Sequence, residues 1–205
     1  NMNGRKLEGV APKTKMELVL GATTAKPGST VMAGLKLEMP GKWHTYWRSP
    51  GEVGKPTVIK WTLPAGIKAG EIQWPVPKRM ISWDLVSFEY SHEVVLLIPL
   101  TISGNAPKGA AELKANVTWL ECETDGACVP GKGSVSATLT IGDAAVQSPE
   151  AALLKEWQKK LPTTAPELVA TACWEGPGKE GKRPLLIEWP TKDLKGDFWG
   201  YHFGT

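Results

Sequence analysis

The sequence predicts an all-β protein, and three observations predict it. Apolar and polar residues alternate in short runs, the period-2 signature of half-buried strands. Turn signals rich in glycine and proline separate these runs, and the chain carries 22 Gly and 17 Pro in 205 residues. Helical spacing occurs in one stretch only.

Met16 to Leu20 reads as the first strand, followed by a turn at Lys26-Pro27-Gly28-Ser29. Val31, Ala33, Leu35, Leu37 and Met39 then mark one buried strand face, ended by Pro40-Gly41. Trp43 to Trp47 is a short aromatic strand, closed at Ser49-Pro50-Gly51. Thr57 to Leu63 is the next strand, stopped by Pro64-Ala65-Gly66. Glu71 to Pro77 is extended, because each proline moves its predecessor out of the α region. Lys78 to Ser87 has no clean period and reads as a loop. Phe88 to Ile102 is the densest β stretch. Ala111 to Cys122 alternates through Leu113, Ala115, Val117 and Trp119, and Ser134 to Ile141 through Val135, Ala137, Leu139 and Ile141. Such a series of strands and turns points to a β-sandwich of immunoglobulin-like type. The distant cysteines that often join two such sheets are missing.

The pattern changes at Ser148-Pro149-Glu150. Ser148 is the expected N-cap, Pro149 the first helical position, and Ala151, Leu154, Trp157 and Leu161 recur near helical spacing. A short helix over about 149–160 is predicted, stopped by Pro162. The expected organisation is a sandwich over 1–147, a helical linker over 148–162, and a small or partial second β unit over 163–205. Some 40 residues make little independent core. Cys173, alone in that last unit, reads as a buried small residue.

Composition narrows the function classes. The net charge is +3 with scattered Lys and Arg, which gives no electrostatic footprint for nucleic acid. No stretch approaches the roughly 18–20 apolar residues of a membrane span, so direct membrane insertion is not expected. Asn1 to Lys15 is polar and lacks the features of a signal peptide, as in a cytosolic protein or an exported one already trimmed.

Chemistry concentrates at Cys122 and Cys128, where the Ala111–Cys122 strand ends in a turn. A staple, a redox couple and a metal site are the three readings. Closing a loop of about seven residues stabilises by roughly 2–2.5 kcal/mol, little for a staple. Asp125-Gly126 supplies turn chemistry for the fold-back that bonding requires. Zinc favours closer cysteine spacing and four ligands, and no second pair exists; copper held by Cys, His and Met stays open. Glu121, Glu123 and Asp125 flank the pair. A carboxylate about 7 Å away costs a thiolate roughly 0.6–2.4 kcal/mol, which raises the thiol pKa. A redox pair so placed is slow toward small molecules and needs a partner protein.

Several separated stretches share one further property. Trp43-His44-Thr45-Tyr46-Trp47-Arg48-Ser49-Pro50-Gly51, Trp61-Thr62-Leu63-Pro64, Trp74-Pro75-Val76-Pro77-Lys78-Arg79, Tyr90-Ser91-His92-Glu93 and Trp119-Leu120-Glu121-Cys122 through Cys128-Val129-Pro130 follow one another in a fixed order. Together, over about residues 10–142, they resemble the amino-terminal periplasmic domain of DsbD-type thiol:disulfide interchange proteins (protein-disulfide reductases), including the ScsB-like branch. The resemblance implies an immunoglobulin-like sandwich, a periplasmic location and no organic cofactor. It implies electrons arriving from a thioredoxin-like domain, itself reduced through a membrane-embedded domain of the same full-length protein. They leave to thioredoxin-like or other exported client proteins. It implies Cys128 as the attacking thiol and Cys122 as the resolving one. It also implies an aromatic cap loop, with Trp83 as the cap, Phe88 in reserve, and Asp84 and Tyr90 close by. His44 and Tyr46 match a pair of tyrosines beside the cysteines, with Glu121 and Glu123 completing the surround. The competing readings are a non-catalytic binding module with a structural disulfide and an exported copper-handling protein.

Overall fold

The alternating runs form strands in two hydrogen-bonded sheets. The computed structural model describes residues 12–124, 126–163, 169–176 and 183–189, and the chain divides into two units, Asn1–Pro162 and Thr163–Thr205. In the first unit the strands begin with β1 (Lys15–Leu20), β2 (Ala22–Ala25), β3 (Thr30–Glu38) and β4 (Trp43–Gly51). β5 (Val58–Thr62), β6 (Ile67–Ala69), β7 (Lys78–Ser82) and β8 (Leu85–Ser91) follow. β9 (Glu93–Ile102), β10 (Gly109–Glu123), β11 (Cys128–Ile141) and β12 (Val146–Gln147) precede the helix α1 (Ala151–Gln158). One sheet has the order β1-β3-β9-β6; the other runs β12-β2-β11-β10-β4-β8-β7, with β5 on the earlier part of β10. The fold is an immunoglobulin-like β-sandwich.

The chain passes from the first sheet to the second at Gly21, between β1 and β2, where its N–H still donates to the Met32 carbonyl. Val31, Ala33, Leu35, Leu37 and Met39 are all buried, as their spacing predicts. β9 is different: Val94 to Ile98 are all fully buried, because both of its faces are covered. One side meets the sandwich interior. On the other, α1 lays Leu154 against Gly34 and Val95. Along the edge of β9, following β6, the extended 71–77 segment continues the pairing with backbone hydrogen bonds exchanged between Gln73 and Leu97. The helix is therefore part of the first unit and not a free linker. Its buried stripe is Ala151, Leu154 and Trp157. Lys160 stacks its ammonium 3.5 Å from the Trp157 ring centre, and its carbonyl accepts from Val76 N–H.

Three local expectations are corrected. The helix starts two residues later than its sequence signals suggest: Glu150 is the N-cap, and the Ser148 hydroxyl donates instead to the Leu20 carbonyl. β4 does not stop before Ser49-Pro50-Gly51 but runs through it, with an irregularity between Tyr46 and Gly51 that lets the chain bend while pairing resumes at Gly51–Ser87. The 78–87 segment is not a loop: β7 and β8 form a hairpin in register from Lys78–Glu89 to Ser82–Leu85. Its two-residue turn is Trp83-Asp84, at φ 53° and 62°, where Asn-Gly is the usual signal.

In the second unit, β13 (Thr171–Trp174) and β14 (Leu185–Glu188) pair antiparallel. Cys173 is exposed there, contrary to expectation, because among the described residues the two-stranded ribbon has no second layer to cover it.

Gly34 lies where α1 meets the sheet. A Cβ there would stand 2.6 Å from both Leu154 Cδ2 and Val95 Cγ1. Gly34→Ala is expected to destabilise the protein by about 1–3 kcal/mol through overpacking. Adding Leu154→Ala should give a double variant less destabilised than the sum of the two single changes, since the second change relieves part of the clash. Urea denaturation of the four proteins reads this coupling; strict additivity would contradict the packing described.

Candidate functional site

Strand alternation builds the site at the closed end of the β10–β11 hairpin. The two strands pair without interruption from Gly109–Ile141 to Cys122–Cys128. Glu123 N–H donates to the Ala127 carbonyl and Gly126 N–H to the Glu123 carbonyl, closing the turn. Cys122 and Cys128 are therefore directly opposite, in a position where the backbones do not bond each other. Such pairs lie closest across an antiparallel ladder, about 4.5 Å between Cα atoms. The Cα atoms here are 4.0 Å apart and the sulfurs are joined as a disulfide. Asp125 lies outside the described residues. The tip is fastened to the start of β4 by Thr124, whose N–H and hydroxyl both donate to the Lys42 carbonyl.

Cys122 is 3% exposed, whereas Cys128 is open to solvent. Both line a cleft of about 220 Å³ with His44, Tyr46, Glu89 and Trp83. β4 brings His44 beside Cys122 in register, and β8 brings Glu89 opposite Tyr46. The His44 Nε2 is 3.2 Å from the Tyr46 hydroxyl and 3.4 Å from Glu89 Oε1. Ser87 donates its hydroxyl proton to the same Glu89 oxygen at 2.5 Å.

Burial holds His44 below its ordinary pKa, against the opposing pull of the Glu89 carboxylate. Burial, reinforced by the Glu89 charge, pushes the Tyr46 phenol up to about 12. At neutral pH the cleft thus holds a neutral imidazole, a neutral phenol and a carboxylate. None of the three supplies the positive charge that would stabilise a thiolate.

The β7–β8 turn borders the other side. Trp83 is 84% exposed yet lines the cleft with Met80 and Ser82. Its left-handed backbone is unusual for a bulky residue and costs roughly 1–2 kcal/mol, as does that of Asp84. Hairpin pairing holds both.

The structure thus brings Cys122, Cys128, His44, Tyr46, Trp83 and Glu123 to one cleft. Four expected neighbours lie elsewhere. Phe88 is a core residue, packed edge-on against Trp47. Tyr90 is buried and donates to the Pro75 carbonyl at 2.6 Å, and burial raises its phenol far above the ordinary value. Asp84 is exposed at the turn and does not line the cleft. Glu121 points to the opposite face of β10 from Cys122, fully buried. It accepts from the Lys13 and Thr14 N–H groups and from the Trp119 indole. Burial pushes its carboxyl up, but hydrogen bonds from Thr14, Trp119 and Lys13 outweigh that and hold it below the ordinary value. It is a structural anion and not a neighbour that repels a thiolate. Glu89 and Met80 had gone unnoticed: nothing in the local sequence shows that β8 sets Glu89 opposite Tyr46, or that 78–82 is a strand.

Comparison with known proteins gives consistent results. Residues 16–140 match the family described as "Thiol:disulfide interchange protein DsbD, N-terminal". A search of curated protein sequences returned no match. Among solved structures, the chain is similar to the N-terminal periplasmic domain of ScsB from Proteus mirabilis, with 22% identity and a TM-score of 0.52. That match covers 78% of this chain and 57% of the other, so the chain spans little more than half the length of that relative. It is also similar to the reduced DsbD N-terminal domain of Neisseria meningitidis, with 12% identity, a TM-score of 0.31, and coverage of 63% of this chain and 89% of the other. Among the described residues no helix is long and apolar enough to cross a membrane.

His44 and Glu121 together set a pH dependence. Folding lowers the His44 pKa, so the unfolded chain binds a proton that the folded chain refuses as pH falls through about 6.5. Folding also lowers the Glu121 pKa, so its contribution is present above about 4.5 and is lost as pH falls through the folded value. Urea midpoints should decline in two stages, one beginning near pH 6.5 and one below about 4.5. His44→Gln should flatten the first stage and leave the second. Identical profiles for wild type and variant between pH 6.5 and 5 would contradict the His44 assignment.

Proposed function

The chain belongs to the amino-terminal domain family of DsbD thiol:disulfide interchange proteins, and on that premise we propose that it is an electron-relay domain of the periplasm. It takes electrons from a reduced thioredoxin-like domain and delivers them to disulfides of exported proteins through Cys122 and Cys128. The donor is in turn reduced by a membrane-embedded domain of the same full-length protein. The observation that carries this reading is the asymmetry of the pair, one cysteine buried and one exposed, at a cleft that an aromatic side chain borders.

In the loading half, a donor thiolate attacks the accessible Cys128 sulfur. The Cys122–Cys128 bond breaks and Cys122 leaves as a thiolate. The donor's second thiolate then attacks its own mixed-disulfide sulfur, releasing the Cys128 thiolate. The donor ends as a disulfide and the pair as two thiols, a transfer of two electrons. In the delivery half, the Cys128 thiolate attacks a client disulfide. Cys122 then attacks the Cys128 sulfur, re-forming the internal bond and releasing the client as a dithiol.

His44 and Tyr46 are suited to the proton movements. His44 is the cross-strand neighbour of Cys122 and is neutral, so it can take or return the proton that Cys122 must lose to resolve and gain after leaving. Tyr46 holds the imidazole by its hydroxyl. Trp83 is the cap: it shields the disulfide from small thiols and moves aside when a partner docks.

Cys122→Ser should trap a stable mixed disulfide through Cys128 with a thioredoxin-like partner, read by mass spectrometry of the peptide adducts. Cys128→Ser should trap none at a comparable level. Adducts forming equally well on Cys122 would reverse the roles, and a wild-type pair that stays oxidised against excess reduced partner would sink the relay. Trp83→Ala is expected to speed reduction by dithiothreitol several-fold, followed by thiol quantitation. An unchanged rate would remove Trp83 as a cap.

A further inference from the structure

A second concavity lies on the same hairpin as the disulfide, and the chemistry described so far does not use it. Moving down β10–β11 from Cys122–Cys128, the next pairs on that face are Leu120–Pro130 and Thr118–Lys132. β5 pairs with β10 only as far as Thr118, and β4 takes over at Cys122. Between them a groove of about 740 Å³ opens, lined by Trp119, Leu120, Pro130, Pro56 and Val58. Val58 is 46% exposed.

We propose that this groove receives the stretch of a protein partner that flanks its reacting cysteine, and that it selects an extended apolar segment carrying acidic residues. The proposal rests on the disulfide-exchange reading above. Its first support is continuity. A strand advances about 3.3 Å per residue, so Leu120–Pro130 lies about 7 Å from the disulfide and Lys132 about 13 Å. A partner chain bonded to Cys128 would lay residues two to four positions from its own cysteine along this face.

Charge is the second support. Lys55 and Lys132 are the charged residues lining the groove, with no acid among its lining. Neither forms an ion pair among the described residues. The cleft at the disulfide carries the opposite sign, through Glu89 and Glu123. A bound segment is therefore matched by apolar residues near its cysteine and carboxylates beyond them. Such complementarity acts mainly on encounter rate and partner choice.

The test uses the full chain and two reduced synthetic peptides, each with one central cysteine. One carries leucines and glutamates two to four positions from the thiol on both sides; the other carries serines and lysines there. Wild-type protein should form the mixed disulfide about tenfold faster with the first peptide, and added salt should shrink the ratio. Lys55→Glu with Lys132→Glu should reverse the preference. Val58→Ser and Leu120→Ser should each reduce it, while all variants keep the wild-type rate of reduction by dithiothreitol and a wild-type melting transition. Val58→Ser, at an exposed position, keeps the test informative if Leu120→Ser fails to fold. Equal rates for both peptides, or a preference that survives the charge reversal, would overturn the groove assignment while leaving exchange itself intact. Failure of dithiothreitol and of both peptides to open the disulfide would instead strike at the exchange reading. A groove that pairs two copies of this chain would show in sedimentation as a dimer lost in Val58→Ser, and would also overturn the proposal.

Discussion

Neighbouring residues of a strand face opposite ways, and at Glu121–Cys122 that rule divides the molecule into an anchor and a site. Glu121 is sealed inside, holding two backbone N–H groups ahead of β1 and the Trp119 indole. Cys122 faces the other way, toward Cys128 and His44. A slip of β10 by one residue would turn the carboxylate outward and the cysteine inward. The slipped arrangement would also strand three donors without their acceptor, at about 1–3 kcal/mol for each buried group left unsatisfied. Register is thus fixed by a buried anion one residue from the chemistry. The disulfide does not have to hold the hairpin together, which leaves it free to open and close.

The rest of the scaffold sets what surrounds the sulfurs. β9 is buried on both faces, by the opposite sheet and by α1, while the 71–77 segment pairs along its edge, so the centre of the sandwich is enclosed. The cleft stands on the other sheet, where β4 and β8 deliver His44, Tyr46 and Glu89 in register. These side chains sit on paired strands, so their mutual distances are set by the ladder. Trp83 sits on a two-residue turn at the end of the neighbouring hairpin. The cleft is thus built from neighbouring strands of one sheet and their turns.

Much of this was legible in the sequence, and the failures have physical causes. Alternation located β3, β10 and β11 because each has one face in the core. The cysteine pair stood out because two thiols flank a turn. The β7–β8 hairpin was invisible, since Trp83-Asp84 lacks the usual turn residues and β7 is an edge strand with little burial to impose a period. Phe88 was a reasonable cap from its distance to Tyr90, but β8 alternation carries it into the core against Trp47. Glu121 was misread for the opposite reason. The face through Leu113, Ala115, Val117 and Trp119 extends by one step to Glu121, and following the period would have placed it inside despite its charge. Glu89 needed the cross-strand register, which no single stretch contains.

The electrostatics of the cleft bear on where selectivity resides. A thiol pair in a site with a neutral imidazole and carboxylates has little thiolate at neutral pH, and thiolate is the attacking species. Raising the thiolate fraction by a nearby cation would speed exchange with every disulfide alike. Here His44 is held neutral by burial and Glu89 and Glu123 add negative charge, so the pair is poor at unassisted attack. Rate must then come from contacts that a particular partner makes, whether by excluding water from the cleft or bringing its own charge. A pair so placed discriminates among partners by the contacts made on docking, since its own charge environment favours none of them.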